Sequence, residues 1–322
     1  MKNFALTGVG GFIAPRHLQA IRDTGNRLVA ALDPHDAVGV MDRYFEDVAY
    51  FREFERFDRF AEKLRRKGEP ERIHYVSICT PNYLHDAHIR FALRIGADAL
   101  CEKPLVLNPW NLDALQDLER ETGRRVYTVL QLRLHPSVVA LRERVAREPA
   151  GTVHDLDLTY VTSRGRWYGV SWKGDVERSG GIATNIGVHF FDMLTWIFGP
   201  ARESEVHVSD PSRAAGFLRL ERARVRWFLS LSKEDLPARA RQAGQSTHRS
   251  MRLGGEEIEF SDGFADLHTA VYREVLAGRG FGIEDARPSI ALVQGIRTAP
   301  LQVPAPERAH PFAAGLAGKE GR

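Results

Sequence analysis

The chain has 322 residues, with 45 Lys and Arg against 42 Asp and Glu and a formal net charge of +3. Hydrophobic residues make up 43% and charged residues 27%, the balance of a globular protein of about two domains rather than a fibrous or disordered chain. So small a net charge argues against a nucleic-acid binder, and no apolar run reaches the roughly 18 residues of a membrane span.

In chain order, the first 135 residues alternate short apolar runs with helical patterns, which predicts βαβ units and a doubly wound parallel sheet. Phe4–Thr7 is a strand that runs into the Gly-rich turn Gly8, Gly10, Gly11, where an export signal would stay apolar. A helix ends near Gly25, and Leu28–Leu32 is a second strand closing on Asp33. Phe51, Phe54, Phe57, Phe60 and Leu64 recur at helical spacing and read as core. Ile73–Cys79 is a strand stopped by Thr80-Pro81-Asn82, and a helix ends at Gly96. Ala99–Cys101 follows, with Glu102-Lys103-Pro104 at its end. Asn108, Pro109 and Gly123 mark the start and stop of a helix, and Val126–Leu130 is the last strand of the series. The only cysteines, Cys79 and Cys101, are too few to staple the fold and fit a reducing, cytoplasmic setting.

After Pro136 the pattern changes. A helix over Val138–Arg147 precedes period-2 segments (Leu156, Leu158, Tyr160; Val225, Trp227, Leu229, Leu231) that predict antiparallel strands. Gly180-Gly181 precedes a helical run from Ile186 to Phe198, and two further helices span Ala265–Ala277 and Ser289–Arg297. The expected division is a dinucleotide-binding domain over 1–135, an α+β domain with an open, mainly antiparallel sheet over 136–300, and a loose tail over 301–322.

A Gly-rich turn between a first strand and a first helix lets backbone amides approach a pyrophosphate. The spacing departs from G-x-G-x-x-G, since Ile13 stands where a third glycine would. Asp33 at the end of the second strand is placed for both ribose hydroxyls and would repel a 2′-phosphate, so NAD is favoured over NADP. Thr80, Asn82 and His85, and Glu102 with Lys103, follow strands of the same sheet and are expected to line one crevice at its carboxyl end. Asn185 and His189 lie four apart, on one face of a helix. His189 and Asp192 share a turn but no third ligand is evident, so no metal is expected. His74 and His154 read as structural or surface residues. From Tyr160 to Gly180, Arg164, Arg166, Lys173 and Arg178 outnumber Asp175 and Glu177. Of these, Arg166 and Arg178 read as solvated.

The glycine turn, Cys79-Thr80-Pro81-Asn82 with His85, Glu102-Lys103-Pro104, and Gly180-Gly181 followed by Gly187-Val188-His189 and Asp192 resemble the Gfo/Idh/MocA oxidoreductase family over roughly residues 3 to 298. The resemblance implies a Rossmann domain, a second domain with an open antiparallel sheet, and a sugar or polyol substrate. Longer stretches are similar to the subgroup of UDP-N-acetylglucosaminuronate 3-dehydrogenases of surface-polysaccharide synthesis. They are Gly11–His17, Gln131–Pro136, Ser163-Arg164-Gly165, Trp167-Tyr168, Ser171–Gly174, Thr184–Asp192 and Gly263–Thr269. Most of the wider family has Asp four residues before the histidine; Asn185 holds that place here, as in the subgroup.

This resemblance implies Lys103, His189 and Asn185 as catalytic. It implies Gly8, Gly10, Gly11, Phe12, Ile13, Asp33, Thr80, Asn82, His85, Glu102, Lys103 and Gln131 as cofactor contacts. Lys103, Arg133, Ser163, Arg164, Trp167, Tyr168, Lys173, Thr184, Asn185 and His189 are expected at the substrate, a UDP-sugar acid whose diphosphate and carboxylate suit Arg and Lys. Arg16 and His17 are further candidates to reach it. His189 as base and Lys103 as the cation steadying an alkoxide is the expected assignment, although the roles are exchangeable. A downstream aminotransferase and a homotetramer are implied by resemblance only. Another sugar dehydrogenase, an NAD-dependent glycosidase and a non-catalytic NAD-binding sensor are the alternatives.

Overall fold

A computed structural model describes residues 1–258, 266–314 and 316. The chain divides into two compact units, Met1–Gln131 with Ala265–Arg287, and Leu132–Phe264 with Pro288–Arg322. The first unit holds six strands, β1 (Asn3–Thr7), β2 (Arg27–Leu32), β3 (Ala49–Phe51), β4 (Tyr75–Ile78), β5 (Asp98–Cys101) and β6 (Val126–Thr128). They pair in parallel in the order β3-β2-β1-β4-β5-β6. Strand order reverses at β1 and β4, the switch point beyond whose carboxyl ends ligands bind in such sheets.

Phe51 belongs to the short β3, not to the helix that the aromatic spacing predicts; the helix begins at Phe54 and runs to Arg66. Of the stripe expected to be core, Phe57 and Leu64 are buried, while Phe51 and Phe60 are half-buried and Phe54 is 36% exposed; Phe51, Phe54 and Phe91 pack around Phe57 at ring distances of 5.2–6.3 Å.

The second unit holds β7 (His154–Thr162), β8 (Ala201–Ser209), β9 (Arg213–Leu220), β10 (Ala223–Ser230), β11 (Thr247–Leu253) and β12 (Glu256–Glu257), ordered β12-β11-β7-β10-β9-β8. All neighbours are antiparallel except β7 and β10. Leu156, Leu158, Val225, Trp227 and Leu229 form the inner face, packed in one core with Phe191, Leu194 and Phe198 of the Val188–Phe198 helix.

Two features differ from the expected contiguous division. The helix Leu267–Leu276 belongs to the first unit although it lies far beyond the second-domain strands in sequence. Of the segment expected to be loose, residues 301–314 are tied to the second unit: Val206 bridges Leu301, and His310 is buried; residues 315 and 317–322 lie outside the described residues. His310 accepts the Phe312 N–H at Nδ1, contacts Thr159 Oγ1 at 3.1 Å and stacks on Phe228.

His88 is likewise buried, stacked on Phe54, with Nδ1 facing the hydroxyls of Thr7 and Thr80. Burial holds both His88 and His310 neutral and pushes each down to about 4 from 6.5. Unfolded imidazoles therefore take up protons that the folded ones refuse. Their stabilisation is complete above pH 6.5 and is lost as pH falls toward 4, on the order of 3 kcal/mol for each group. Denaturant unfolding at pH 7.5 and 4.5 should show a lower midpoint at 4.5. His310→Asn, whose Oδ1 can still accept from Phe312, should lose part of that pH dependence; an unchanged slope would contradict the assignment.

Candidate active site

The turn after β1 depends on glycines. Gly8 has φ of +80°, and a Cβ there would lie 2.7 Å from the Cys79 carbonyl and 2.8 Å from Thr80 N. Gly10 N donates to Asp33 Oδ2 at 2.8 Å and His35 N to Oδ1 at 2.9 Å. Asp33 is buried at the end of β2, and its two oxygens keep lone pairs beyond those two bonds. A Cβ on Gly10 would meet that carboxylate at 3.1 Å. The N–H groups of Gly8 to Gly11 are spent on Leu32 O, Asp33 and Gly8 O, so the bare turn fits a dinucleotide by letting a phosphate approach the start of the Ala14–Asp23 helix, with Asp33 for ribose hydroxyls. Phe12 is 87% exposed at the turn and Ile13 caps the following Ala14–Asp23 helix.

His85 does not present a ring nitrogen to a ligand. Its Nδ1 lies 2.7 Å from Pro104 O and its Nε2 2.9 Å from Thr80 O, so the ring sits between the loops after β4 and β5 and, when neutral, donates its one N–H to one of the two carbonyls. Burial, more than any other influence, pushes its pKa down. Asn82 is buried at the start of the turn leading into its helix. Gln131 is buried with Oε1 unpartnered among the described residues, an acceptor left for a ligand donor. Lys103 is half-buried at the end of β5.

Glu102 is wholly unlike a surface residue. Its Oε1 accepts from His17 Nε2 at 2.9 Å and His268 Nε2 at 3.1 Å, and its Oε2 accepts Lys103 N–H at 3.2 Å. Burial alone would raise the carboxyl, but the hydrogen bonds from both histidines outweigh it and hold the pKa well below the usual range. His17 is fully buried, so it is part of this network and not a surface group reaching for substrate. Its Nδ1 meets Tyr272 Oη at 2.9 Å, and Tyr272 meets Ser77 Oγ at 2.6 Å. Sequence reasoning missed His268, Tyr272 and Ser77. The one signal was His268 within the Gly263–Thr269 stretch, of which residues 263–265 lie outside the described residues.

In the second unit, Gly180 has φ of +79°, and a Cβ there would fall 2.7 Å from the Thr184 side chain. The missing Cβ leaves room for Thr184, fully buried with Oγ1 unpartnered among the described residues, in the first turn of a π-helix over Ala183–Gly187. Wide π turns recur at functional sites. Asn185 is buried and donates from Nδ2 to Tyr168 Oη at 2.6 Å, which fixes its amide. Burial raises the Tyr168 phenol. His189 follows one turn later, half-buried.

Lys173 Nζ lies over the rings of Trp167 at 4.8 Å and Trp172 at 5.7 Å. Burial first, and then the Arg164 charge, lower its pKa, so these two cations share a neighbourhood with the aromatic rings. Arg164 is exposed and Ser163 half-buried, held by backbone bonds to Leu231 O and Ser246 O. Arg178 pairs with Asp175 on the surface.

Arg133, expected at the substrate, is held in a buried ion pair. Its Nε and Nη2 meet both Asp192 oxygens at 3.0 and 2.8 Å, with 6% and 2% of the two side chains exposed. This bidentate pair anchors the Gln131–Leu134 turn to the Val188–Phe198 helix. Among the described residues, one group has metal-ligand geometry, His17, Glu102 and His268, and it does not include His189 or Asp192.

Arg133→Ala strands a buried carboxylate and should cost about 3–5 kcal/mol, whereas Arg133→Met with Asp192→Leu should cost much less. Unfolding midpoints measure this, and an equal loss in both variants would contradict the anchor role. Asp33→Ser should weaken NAD about 10- to 100-fold by titration calorimetry while improving NADP relative to NAD.

Comparison with known proteins agrees with this geometry. The model described as "Oxidoreductase family, NAD-binding Rossmann fold" matches residues 2–130, and "Oxidoreductase family, C-terminal alpha/beta domain" matches residues 142–236. The WlbA (WbpB) dehydrogenase of Thermus thermophilus, solved with NAD and UDP-GlcNAcA and also with NAD and alpha-ketoglutarate, is similar at 54% identity. The match covers 97% of this chain and 100% of that one, with a TM-score of 0.93. The WlbA dehydrogenase of Bordetella pertussis shares the fold at TM-score 0.74 and 18% identity, over 92% of this chain and 94% of its own. Curated relatives match over about half of their length or less; D-glucoside 3-dehydrogenase of Escherichia coli is 28% identical over 131 residues, 40% of this chain and 37% of its own. With both domain models matched in order and a full-length homologue at 54% identity, the chain belongs to the Gfo/Idh/MocA oxidoreductase family, and its first unit is an NAD-binding Rossmann domain.

Proposed function

We propose that the protein oxidises the 3-hydroxyl of UDP-N-acetylglucosaminuronic acid to a ketone. The observation that carries this reading is the full-length likeness to the Thermus thermophilus enzyme bound to NAD and that sugar nucleotide. Lys103, Asn185 and His189 all stand at the matching motifs of this chain.

The N–H groups of Gly8 to Gly11 are spent on Leu32 O, Asp33 and Gly8 O, so the backbone of Phe12 and Ile13 at the start of the Ala14–Asp23 helix would hold the pyrophosphate and Asp33 the adenosine ribose. Bound NAD supplies the hydride acceptor, and a 2-oxo acid of the kind held by the Thermus thermophilus homologue is the oxidant that restores it. His189 takes the proton from the sugar hydroxyl, for which a neutral imidazole is suited near pH 7. Lys103 gives a positive charge to the oxygen as negative charge develops on it. Asn185, with its amide fixed by Tyr168, orients the sugar, and Asn in place of Asp leaves His189 without an anionic partner at that position. Arg164 and Lys173 answer the anionic groups of the substrate, and Trp167 offers a ring face.

The product ketone calls for an aminotransferase as the consuming enzyme, in the making of a diacetamido uronic acid for surface polysaccharide such as lipopolysaccharide. A homotetramer in the cytoplasm, where nucleotide sugars are made, completes the reading. Among the described residues no helix is long and apolar enough to cross a membrane.

Adding UDP-N-acetylglucosaminuronic acid and NAD should raise absorbance at the NADH band, and adding 2-oxoglutarate should lower it with formation of 2-hydroxyglutarate. Lys103→Ala should lose turnover by about a thousandfold while still binding NAD. Full activity in Lys103→Ala, or no response to the sugar by the wild type, would sink the proposal.

A further inference from the structure

We propose that His17, His268 and Tyr272 are positioning residues that order the Glu102 carboxylate and, through its second oxygen, fix the backbone of Lys103. The inference rests on the functional reading above for what Lys103 does. It rests on the geometry of the first unit alone for how Lys103 is held.

The polarity of the network follows from its members. An ionised Glu102 only accepts, so His17 and His268 each present Nε2–H to Oε1. With its proton on Nε2, a neutral His17 accepts at Nδ1. Tyr272 therefore donates to His17, and Ser77 donates to Tyr272. Burial holds His17 to the neutral form. His268 Nδ1 has no partner among the described residues, so this ring enters the network through Nε2 alone. Each proton in the chain thus has one place, and the negative charge rests on Glu102.

What this does for the site lies in the other oxygen. Glu102 Oε2 accepts the amide proton of Lys103, so the turn that carries the lysine is set by a carboxylate that cannot rotate. Both oxygens are taken, one by two imidazoles and one by the backbone. Removing one imidazole lets the carboxylate turn or take up a proton, and the lysine loses its register by a fraction of an ångström, enough to slow a proton or charge-stabilising step. The network also explains why the helix Leu267–Leu276 belongs to the first unit: it delivers His268 and Tyr272 to β5 and to the Ala14–Asp23 helix.

The same three atoms have the spacing of a metal site. Hydrogen bonding accounts for them more fully, because Nε2–O separations of 2.9 and 3.1 Å are those of N–H donors. The second Glu102 oxygen is also already committed to Lys103.

The test compares His268→Leu, His268→Gln, Glu102→Gln and the double variant Glu102→Gln/His268→Leu. Gln returns an N–H donor near the position of Nε2, whereas Leu fills the space without one. His268→Leu should lower kcat about tenfold or more, with KM and the NAD dissociation constant within about twofold. His268→Gln should recover kcat to within about threefold of the wild type. In the Glu102→Gln background, His268→Leu should change kcat by less than about twofold, since its effect passes through Glu102.

A second readout needs no turnover. Pairing ¹³C-carbonyl Glu with ¹⁵N-Lys isolates two amides, Lys63 and Lys103, because Glu62–Lys63 and Glu102–Lys103 are the only such pairs. The Lys103 signal should move upfield in His268→Leu and return in His268→Gln, with Lys63 unchanged. Multiplicative losses in the double variant, or a Lys103 amide indifferent to His268→Leu, would overturn the proposal. So would one metal ion per chain, retained by the wild type and lost in His268→Leu. If the wild type fails to turn over the UDP-sugar while the Lys103 amide responds as stated, the functional reading falls and the network stands.

Discussion

A carboxylate out of reach of water must have its charge met by donors, and the first unit is organised around one that is. Glu102 sits at the end of β5, closed in by two imidazoles and a backbone amide. Those imidazoles come from the Ala14–Asp23 helix and from the Leu267–Leu276 helix, so one charge draws the beginning and the far end of the chain to the same strand end. The glycine turn lies on that side of the sheet as well, where Gly8 leaves no room for a Cβ against the Cys79 carbonyl. His85 fills the remaining gap between the carbonyls of Thr80 and Pro104. The result is a cofactor floor in which most polar groups are already paired before any ligand arrives. The exceptions, such as Gln131 Oε1 and the spare lone pairs of Asp33, are what a ligand would use.

The second unit uses the same economy with different parts. Arg133 and Asp192 neutralise each other inside the fold and anchor the helix that carries His189. Upstream, Gly180 and the π turn set Thr184 and Asn185, and Tyr168 fixes the Asn185 amide. The mobile-charge part is separate: Arg164 and Lys173, beside Trp167 and Trp172, are cations not consumed by the buried pair. A net charge of +3 averages over this cluster and the many surface ion pairs. It excludes a nucleic-acid coat without excluding a nucleotide.

Features governed by local backbone chemistry were legible in the residues. The strand–glycine–helix turn, Asp33 at a strand end, and the two loops after β4 and β5 each follow from signals within about six residues, and the structure has them there. Less local features were not. His268 meets Glu102 across 166 residues and Tyr272 meets Ser77 across 195, distances over which hydrophobic periodicity says nothing. For the same reason the Leu267–Leu276 helix read as part of the second domain, and the ion pair of Arg133 with Asp192, 59 residues on, was not foreseen. The strands β8 and β9 escaped because their alternation is broken by small and charged residues. The tail read as loose because Pro, Ala and Gly carry no periodicity, yet His310 packs there against Phe228.

The central claim is that this scaffold presents the C3 hydroxyl of an N-acetylated UDP-hexuronate to NAD. A crystal structure of the complex with NAD and UDP-N-acetylglucosaminuronic acid tests it most directly. The account predicts the sugar C3 facing nicotinamide C4, with the 3-hydroxyl within hydrogen-bond reach of His189 or Lys103. A sugar bound with C3 turned away from the nicotinamide, or with neither side chain near that hydroxyl, would contradict it.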